Sequence, residues 1–276
     1  MKEKTRAGRQ KLARVPKSIE PWLRRLGRLA EAQGLEAYAV GGCVRDWLLG
    51  AARVTDLDVC VVGNGVTFAK AAARRLGASV VVHEQFGTAT LERRPAGMRI
   101  DVAGCRNETY ARPAAYPTVS PGTLREDLFR RDFTINAMAM AIGPQAFGRL
   151  VDAFGGWRDL KAKRLRVLHA KSFVDDPSRI LRAARFAARE GFLLEPQTAR
   201  WLQQALAAGM VARLNRGRIR KELRRMLEEP DPVACLAQLG RWLNGSRRLA
   251  RCANPPRAST DASRTNGATC AGRCVW

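Results

Sequence analysis

Apolar residues recur at helical spacing from Ile19 to Gln33, with Trp22, Leu23, Leu26, Leu29 and Ala30 on one face, and predict an amphipathic helix. A short apolar run, Tyr38 to Val40, breaks at Gly41 and Gly42, continues as helix-compatible residues to Leu49, and returns to the strand-like DLDVCVV. The pattern predicts strand, glycine turn, helix and strand. An Ala-rich helix follows over Val66 to Leu76, then strands over Ser79–His83 and Thr88–Leu91, a turn from Arg93 to Gly97, and an alternating strand over Met98–Val102. Residues 103–123 hold three prolines and little periodicity, which predicts a long loop within a compact unit, and such loops are usually functional. Arg130, Arg131 and Asp132 are expected to open a helical stretch, with Asn136 one turn further on. The GGW turn within Val151–Leu160 reads as a junction between domains. Beyond it the pattern is helical: a helix starting near Asp176, then Glu195–Ala208 and Arg218–Glu229, with Trp201, Leu202, Leu206, Ile219, Leu223 and Leu227 as core. Strands followed by helices make the class α+β.

Candidate chemistry sits on the first strand–turn–helix–strand unit. Side chains at i and i+2 of a strand share a face, so Asp56 and Asp58 present two carboxylates side by side. Two such groups suit a pair of Mg²⁺ ions that clamp the attacking and leaving oxygens in phosphoryl or nucleotidyl transfer. Gly41 and Gly42, lacking Cβ, let backbone N–H groups approach a triphosphate, and Arg45 in the following turn adds a fork of donors. Either feature alone arises often by chance; the ordered set carries the reading. Asp101, on a later strand, completes a three-carboxylate set if its strand neighbours that of Asp58; by itself it reads as a surface residue.

The helix start at Asp176 leaves two readings open. Asp before Pro177 is an ordinary helix start, with Asp as N-cap and Pro at the first position. Asp176 and Arg179 also share a face, extended by Arg182, Arg185 and Arg189. A carboxylate accepts and a guanidinium donates; cytosine and adenine offer an amino donor beside a ring acceptor, whereas uracil and guanine offer the reverse. The pair therefore fits C and A.

Composition narrows the class. The 276 residues, 46% of them apolar, suffice for one large or two modest domains. The 49 Lys and Arg against 25 Asp and Glu leave a net charge of +24, which attracts a polyanion such as nucleic acid; an acidic membrane surface is the competing partner. Spanning and signal segments are absent from the pattern, so a cytoplasmic protein is expected. The seven cysteines form no C-x-x-C pair, Cys43, Cys60 and Cys105 read as small buried hydrophobes, and the two histidines make His-based metal or acid chemistry unpromising. Residues 1–18, with seven Lys or Arg, read as a mobile basic arm, either grazing RNA or merely solubilising. Residues 244–276 have almost no large aliphatics and are expected to be a disordered tail.

GGCVRDWLLG followed by TDLDV resembles the head signature of class II tRNA nucleotidyltransferases and bacterial poly(A) polymerases, members of the polymerase β-like nucleotidyltransferase superfamily. DLFRRDFTINAMA, VDAFGGWRDLKAKRLR, DDPSRILRAARFAAREGF and RIRKELRRML continue the resemblance in order over most of the chain. It implies a catalytic head over 19–150, a helical neck over 151–243 that reads the base and binds RNA, and a missing C-terminal body that in relatives grips the tRNA elbow. The implied activity is template-independent addition of C and A to the tRNA 3′ end from CTP and ATP, with two Mg²⁺ ions as cofactor. Asp56 and Asp58 would hold metal; Asp101 would orient or deprotonate the terminal ribose hydroxyl. Gly41, Gly42, Arg45 and Arg131 would hold the triphosphate, Asp176 and Arg179 would choose the base, and Arg182 and Arg185 would line the nucleotide site. The family has a flexible loop over 103–123 that helps the site change nucleotide preference. Its base-reading motif is usually Glu-Asp-x-x-Arg, and this chain has Asp175 in the Glu position, which leaves the reading pair intact. An enzyme adding only A, a poly(A) polymerase, and an inactive RNA-binding derivative are the alternatives. An antibiotic nucleotidyltransferase would share the Asp pair but not need the base-reading helix. The oligomeric state is not readable.

Overall fold

The apolar stripe of the first helix, α1 (Glu20–Ala32), buries Leu23, Leu26, Gly27 and Ala30, the i, i+3, i+4, i+7 spacing of one helix face. The structure, a computed structural model, describes residues 15–50, 57–93 and 98–253. Most of the basic arm, Asp56, and the tail from residue 254 onward lie outside the described residues.

After α1 come β1 (Ala37–Val40), α2 (Gly42–Leu48), β2 (Leu57–Val61), α3 (Gly65–Leu76), β3 (Ser79–His83), β4 (Thr88–Arg93) and β5 (Met98–Gly104). A separate hairpin follows, β6 (Arg106–Thr109) and β7 (Thr118–Pro121), then α4 (Leu124–Phe129), β8 (Ala139–Ala141) and β9 (Leu150–Val151). The head is a seven-stranded mixed sheet ordered β3-β4-β5-β2-β1-β8-β9. β1 is buried along its whole length, as a strand flanked on both edges and both faces must be, whereas β3 at the edge alternates exposed and half-exposed positions. β2 is antiparallel to β1 and parallel to β5, and this one parallel pairing sets Asp58 in register with Asp101.

Two local expectations are corrected. Residues 103–123 are not one long loop: β5 runs to Gly104, and β6 pairs with β7 from Arg106–Pro121 to Thr109–Thr118, so 110–117 is the one long irregular stretch within them. β7 is exposed at every position, and a strand with no buried face leaves no apolar alternation to read. Arg130, Arg131 and Asp132 close a helix instead of opening one. α4 begins with a capping box, the Thr123 hydroxyl accepting from Glu126 N and Glu126 accepting from Thr123 N, and ends at Arg130; Thr134–Asn136 is a single 3₁₀ turn.

The neck is α5 (Gly156–Lys161), α6 (Ser172–Asp175), α7 (Ser178–Glu190), α8 (Pro196–Ala207), α9 (Arg216–Leu227) and α10 (Pro232–Ala253). The GGW junction is tight: a Cβ on Gly156 would collide with the Thr134 carbonyl, so this glycine lets α5 pack directly on the turn below the site. Leu181 and Ala184 of α7 pack with Leu214, Met226 and Cys235, while Ile180, Ala183 and Phe186 of the same helix belong to the large core that also holds Leu23 of α1 and Phe133. α10 crosses residue 243, where the helix was expected to give way to a tail, and ends at Ala253. Cys43, Cys60 and Cys105 are buried, as expected. Among the described residues no helix is long and apolar enough to cross a membrane.

Candidate active site

Asp58 is the half-exposed position of an otherwise buried β2, and its in-register neighbour Asp101 is 39% exposed at the side chain. Paired residues of adjacent parallel strands point to the same face about 4.8 Å apart, so the two carboxylates stand together at the mouth of a recess of roughly 350 Å³. Asp101 is oriented by its neighbours: Thr90 Oγ1 donates to Oδ1 at 2.6 Å, His83 Nε2 is 3.2 Å from that hydroxyl, and Arg99 lies at 3.7 Å. Asp56 lies outside the described residues. The donor chemistry fits Mg²⁺, since the two groups are hard carboxylate oxygens, accessible and side by side. Among the described residues no group of three or more His, Cys, Asp or Glu forms a metal cluster.

Behind the carboxylates stands Arg131. Gly41 has φ +79°, a left-handed backbone that favours glycine, and an added Cβ would lie 2.5 Å from Arg131 Nη1. The glycine turn thus makes room for the guanidinium. Asp127, fully buried, aims the basic pair: Oδ2 accepts from Arg131 Nη2 at 2.9 Å, and Oδ1 accepts from Arg130 Nη2 at 2.7 Å and Nε at 3.0 Å. Burial alone would raise the Asp127 pKa, but Arg131 and Arg130 outweigh it and hold the group ionised below the usual carboxylate range. Cys43 is beside Asp58; burial and that charge push its thiol up to about 12, so it packs as a neutral side chain.

A second layer ties the head to the neck. Arg45, buried, donates from Nη1 to Asn136 Oδ1 at 2.6 Å and from Nε to Asp46 at 2.8 Å. Asn136 Nδ2 donates to Asp132 Oδ1 at 3.0 Å, and Arg182 grips Asp132 Oδ2 through Nε at 2.9 Å and Nη2 at 2.5 Å. Arg185 pairs with Glu229 at 2.7 Å. The guanidinium groups of Arg45, Arg185 and Arg189 lie 5.2, 4.8 and 5.2 Å from the centre of the Phe186 ring, within range of cation–π attraction.

At the neck's N-terminal edge Arg179, 3% exposed, donates from Nη1 to Ser172 Oγ at 2.9 Å and from Nη2 to the Arg130 carbonyl at 2.6 Å. Asp176 Oδ1 accepts from Ser178 N at 2.9 Å, an Asx turn just before α7; Pro177 takes the N-cap position, so Asp176 stands one residue ahead of the cap that the helix-start reading gave it. Gly42, Arg45, Asp58, Arg131, Asp176, Arg179, Arg182 and Arg185 all line one cleft of roughly 1040 Å³ between head and neck. Asp101 lines the recess that opens beside it, sharing Asp58 and Arg131, while Gly41 sits behind Arg131. Sequence reasoning missed Asp127, Glu229, Arg218 and Glu222, whose Oε1 lies 3.6 Å from Arg182 Nη1 on the cleft wall. Asp127 was legible as the acidic member of the D-x-x-R-R string; the others come from distant parts of the chain.

Residues 37–166 match the family model of the poly A polymerase head domain. This head belongs to the poly(A) polymerase head-domain family. The chain is 43% identical over 225 residues to the A-adding tRNA nucleotidyltransferase of Geobacter sulfurreducens, covering 82% of this chain and 25% of that protein. It is 37% identical over 239 residues to the CC-adding tRNA nucleotidyltransferase of Deinococcus radiodurans, covering 87% and 62%. A solved tRNA nucleotidyltransferase complexed with a primer tRNA and an incoming ATP analogue superposes with a TM-score of 0.71 at 42% identity, over 82% of this chain and 61% of that one. The likeness extends past the poly(A) polymerase-type head into the neck, and the chain spans from a quarter to about three fifths of the length of these relatives.

Proposed function

We propose that this head and neck carry out template-independent nucleotide addition to the 3′ end of tRNA, adding C and A from CTP and ATP. The observation that carries the reading is that Asp58 lines the same cleft as Arg45, Arg131, Asp176 and Arg179, while Asp101, in register with Asp58 on β5, lines the adjoining recess that shares Asp58 and Arg131. Carboxylates for metal, cations for a triphosphate, and an acceptor–donor pair for a base then line two adjoining spaces that share Asp58 and Arg131. Asp56 and Asp58 would hold two Mg²⁺ ions, which when bound neutralise charge on the attacking and leaving oxygens. Asp101, fixed by Thr90, orients or accepts the proton of the terminal ribose hydroxyl. Arg131 and Arg45, both anchored by carboxylates or amides, present their remaining N–H groups to phosphate without having to reorganise. Asp176 accepts from the amino group of cytosine or adenine, and Arg179 donates to the adjacent ring nitrogen. Arg182 and Arg185 act through their ion pairs, spacing the wall of the cleft.

A-only addition is supported equally by the likeness to an A-adding relative. Incubation with labelled ATP and CTP and tRNAs ending before, within or after CCA tests the reading. Growth of a tRNA lacking all three residues to full CCA supports C and A addition, growth only of tRNA ending in CC supports the A-adding reading, and no addition to any of them refutes both.

A further inference from the structure

Arg218 on α9, a helix that also lines the cleft with Lys221, Glu222 and Arg225, stands at its base-reading edge. Its Nη2 donates to Asp176 Oδ1 and lies 3.5 Å from Ser178 Oγ, while Nη1 is 3.3 Å from the Ala114 carbonyl and 3.5 Å from that of Ala115. The guanidinium also lies 5.5 Å from the ring centre of Tyr116, which is 70% exposed. One side chain therefore holds both the candidate base-reading carboxylate and the irregular 110–117 connection between β6 and β7. That connection is itself held in a demanding conformation: Ala114 has φ +60°, and its N–H donates to the Val174 carbonyl at 3.1 Å.

The distribution of bonds on Asp176 gives this contact its meaning. Oδ1 takes every donor that reaches the carboxylate: Ser178 N at 2.9 Å, Ser178 Oγ at 2.5 Å, and Arg218. No hydrogen bond from the described residues reaches Oδ2. A carboxylate free to swivel can accept from the ring N–H of uracil or guanine as readily as from the amino group of cytosine or adenine, so it discriminates poorly. One whose Oδ1 is clamped by three donors presents Oδ2 in a single direction.

We infer that Arg218 is a positioning residue for nucleotide selection: it clamps Oδ1 of Asp176 so that Oδ2 faces the incoming base, and couples that orientation to the 114–116 segment. The inference rests on the reading of Asp176 as a base reader. Displacement of the segment would pull Arg218 from Asp176 and relax selectivity, so the connection acts on the base through this guanidinium.

The test is equilibrium binding of CTP, ATP, UTP and GTP to the full chain with Mg²⁺, for the parent, Asp176→Ala, Arg218→Ala, Arg218→Lys and Tyr116→Ala. Arg218→Ala is expected to reduce the preference for CTP and ATP over UTP and GTP about tenfold, the scale of one charge-assisted hydrogen bond, while UTP and GTP affinities stay near those of the parent. Arg218→Lys, which keeps the charge but not the two-armed grip, should recover part of the preference. Tyr116→Ala, at an exposed position that leaves the core intact, should lower it in the same direction. If Asp176→Ala loses the preference but both Arg218 variants and Tyr116→Ala keep it, the inference about Arg218 fails and the base-reader reading stands. Retention of the preference in Asp176→Ala removes the base-reader reading and this inference with it. An equal loss of affinity for all four nucleotides in Arg218→Ala makes Arg218 a phosphate or scaffold residue and overturns the inference.

Discussion

Asp58 and Asp101 face each other in register across the parallel strands β2 and β5, although 43 positions separate them in the chain. Between them run a helix and two antiparallel strands, and β5 returns beside β2 to bring its carboxylate to the same face. The sheet, not the local sequence, assembles the acidic pair.

Replacing either carboxylate by its amide, Asp58→Asn or Asp101→Asn, is expected to abolish nucleotide addition and leave RNA affinity almost unchanged, because the acids serve chemistry and the arginines serve affinity. Chelation of divalent metal should have the same effect on addition. Primer-extension and RNA-binding assays on the same preparations check both halves; near-normal turnover in the Asp58 variant would remove it from the site.

Asp132 makes the head–neck junction acid-sensitive. Burial opposes its ionisation, but Arg182 and the Asn136 amide outweigh that and hold its pKa down to about 2. Since the folded value lies below the ordinary carboxylate range, the stabilisation is fully present above about pH 4 and is lost as pH falls toward 2, an effect of about 2 kcal/mol. In Asp132→Asn this pH-dependent part should vanish while stability at neutral pH falls, as Arg182 loses its buried partner. Denaturant midpoints at pH 7, 4 and 3 measure it.

Gly41→Ala is expected to weaken triphosphate binding before it unfolds the protein. The positive φ with ψ −131°, a combination that side chains disfavour, adds strain on the order of 1 to 3 kcal/mol, and the new methyl group would press on Arg131 Nη1. Affinity for inorganic triphosphate should fall along with the thermal midpoint; unchanged triphosphate affinity would separate Arg131 from phosphate.

RNA affinity is expected to fall steeply with salt, on the order of a hundredfold between 50 and 200 mM if several phosphates are contacted. Arg216, Arg220 and Arg224 are exposed one turn apart on α9, so Arg220→Glu with Arg224→Glu should flatten that salt slope and leave nucleotide affinity intact. Filter binding at the two salt concentrations reads the slope directly.

The sequence by itself determined the elements whose signals are local. Apolar spacing defines α1 and α8, and Gly41 and Gly42 between a strand and a helix marked the turn at the site. Order of motifs along the chain was enough to resemble a family that the head then matched. Tertiary structure alone decided what depends on pairing between distant segments. The β6–β7 hairpin went unread because exposed strands carry no apolar alternation, and the end of α4 at Arg130 went unread because charged residues are equally at home on either side of a helix terminus. Arg182 looked like a nucleotide ligand and is tied to Asp132, while Arg218, which carried no role in the sequence beyond starting a helix, reaches Asp176. An arginine's long side chain has the same local signature whether it meets phosphate, carboxylate or water, and only the folded neighbourhood supplies the partner.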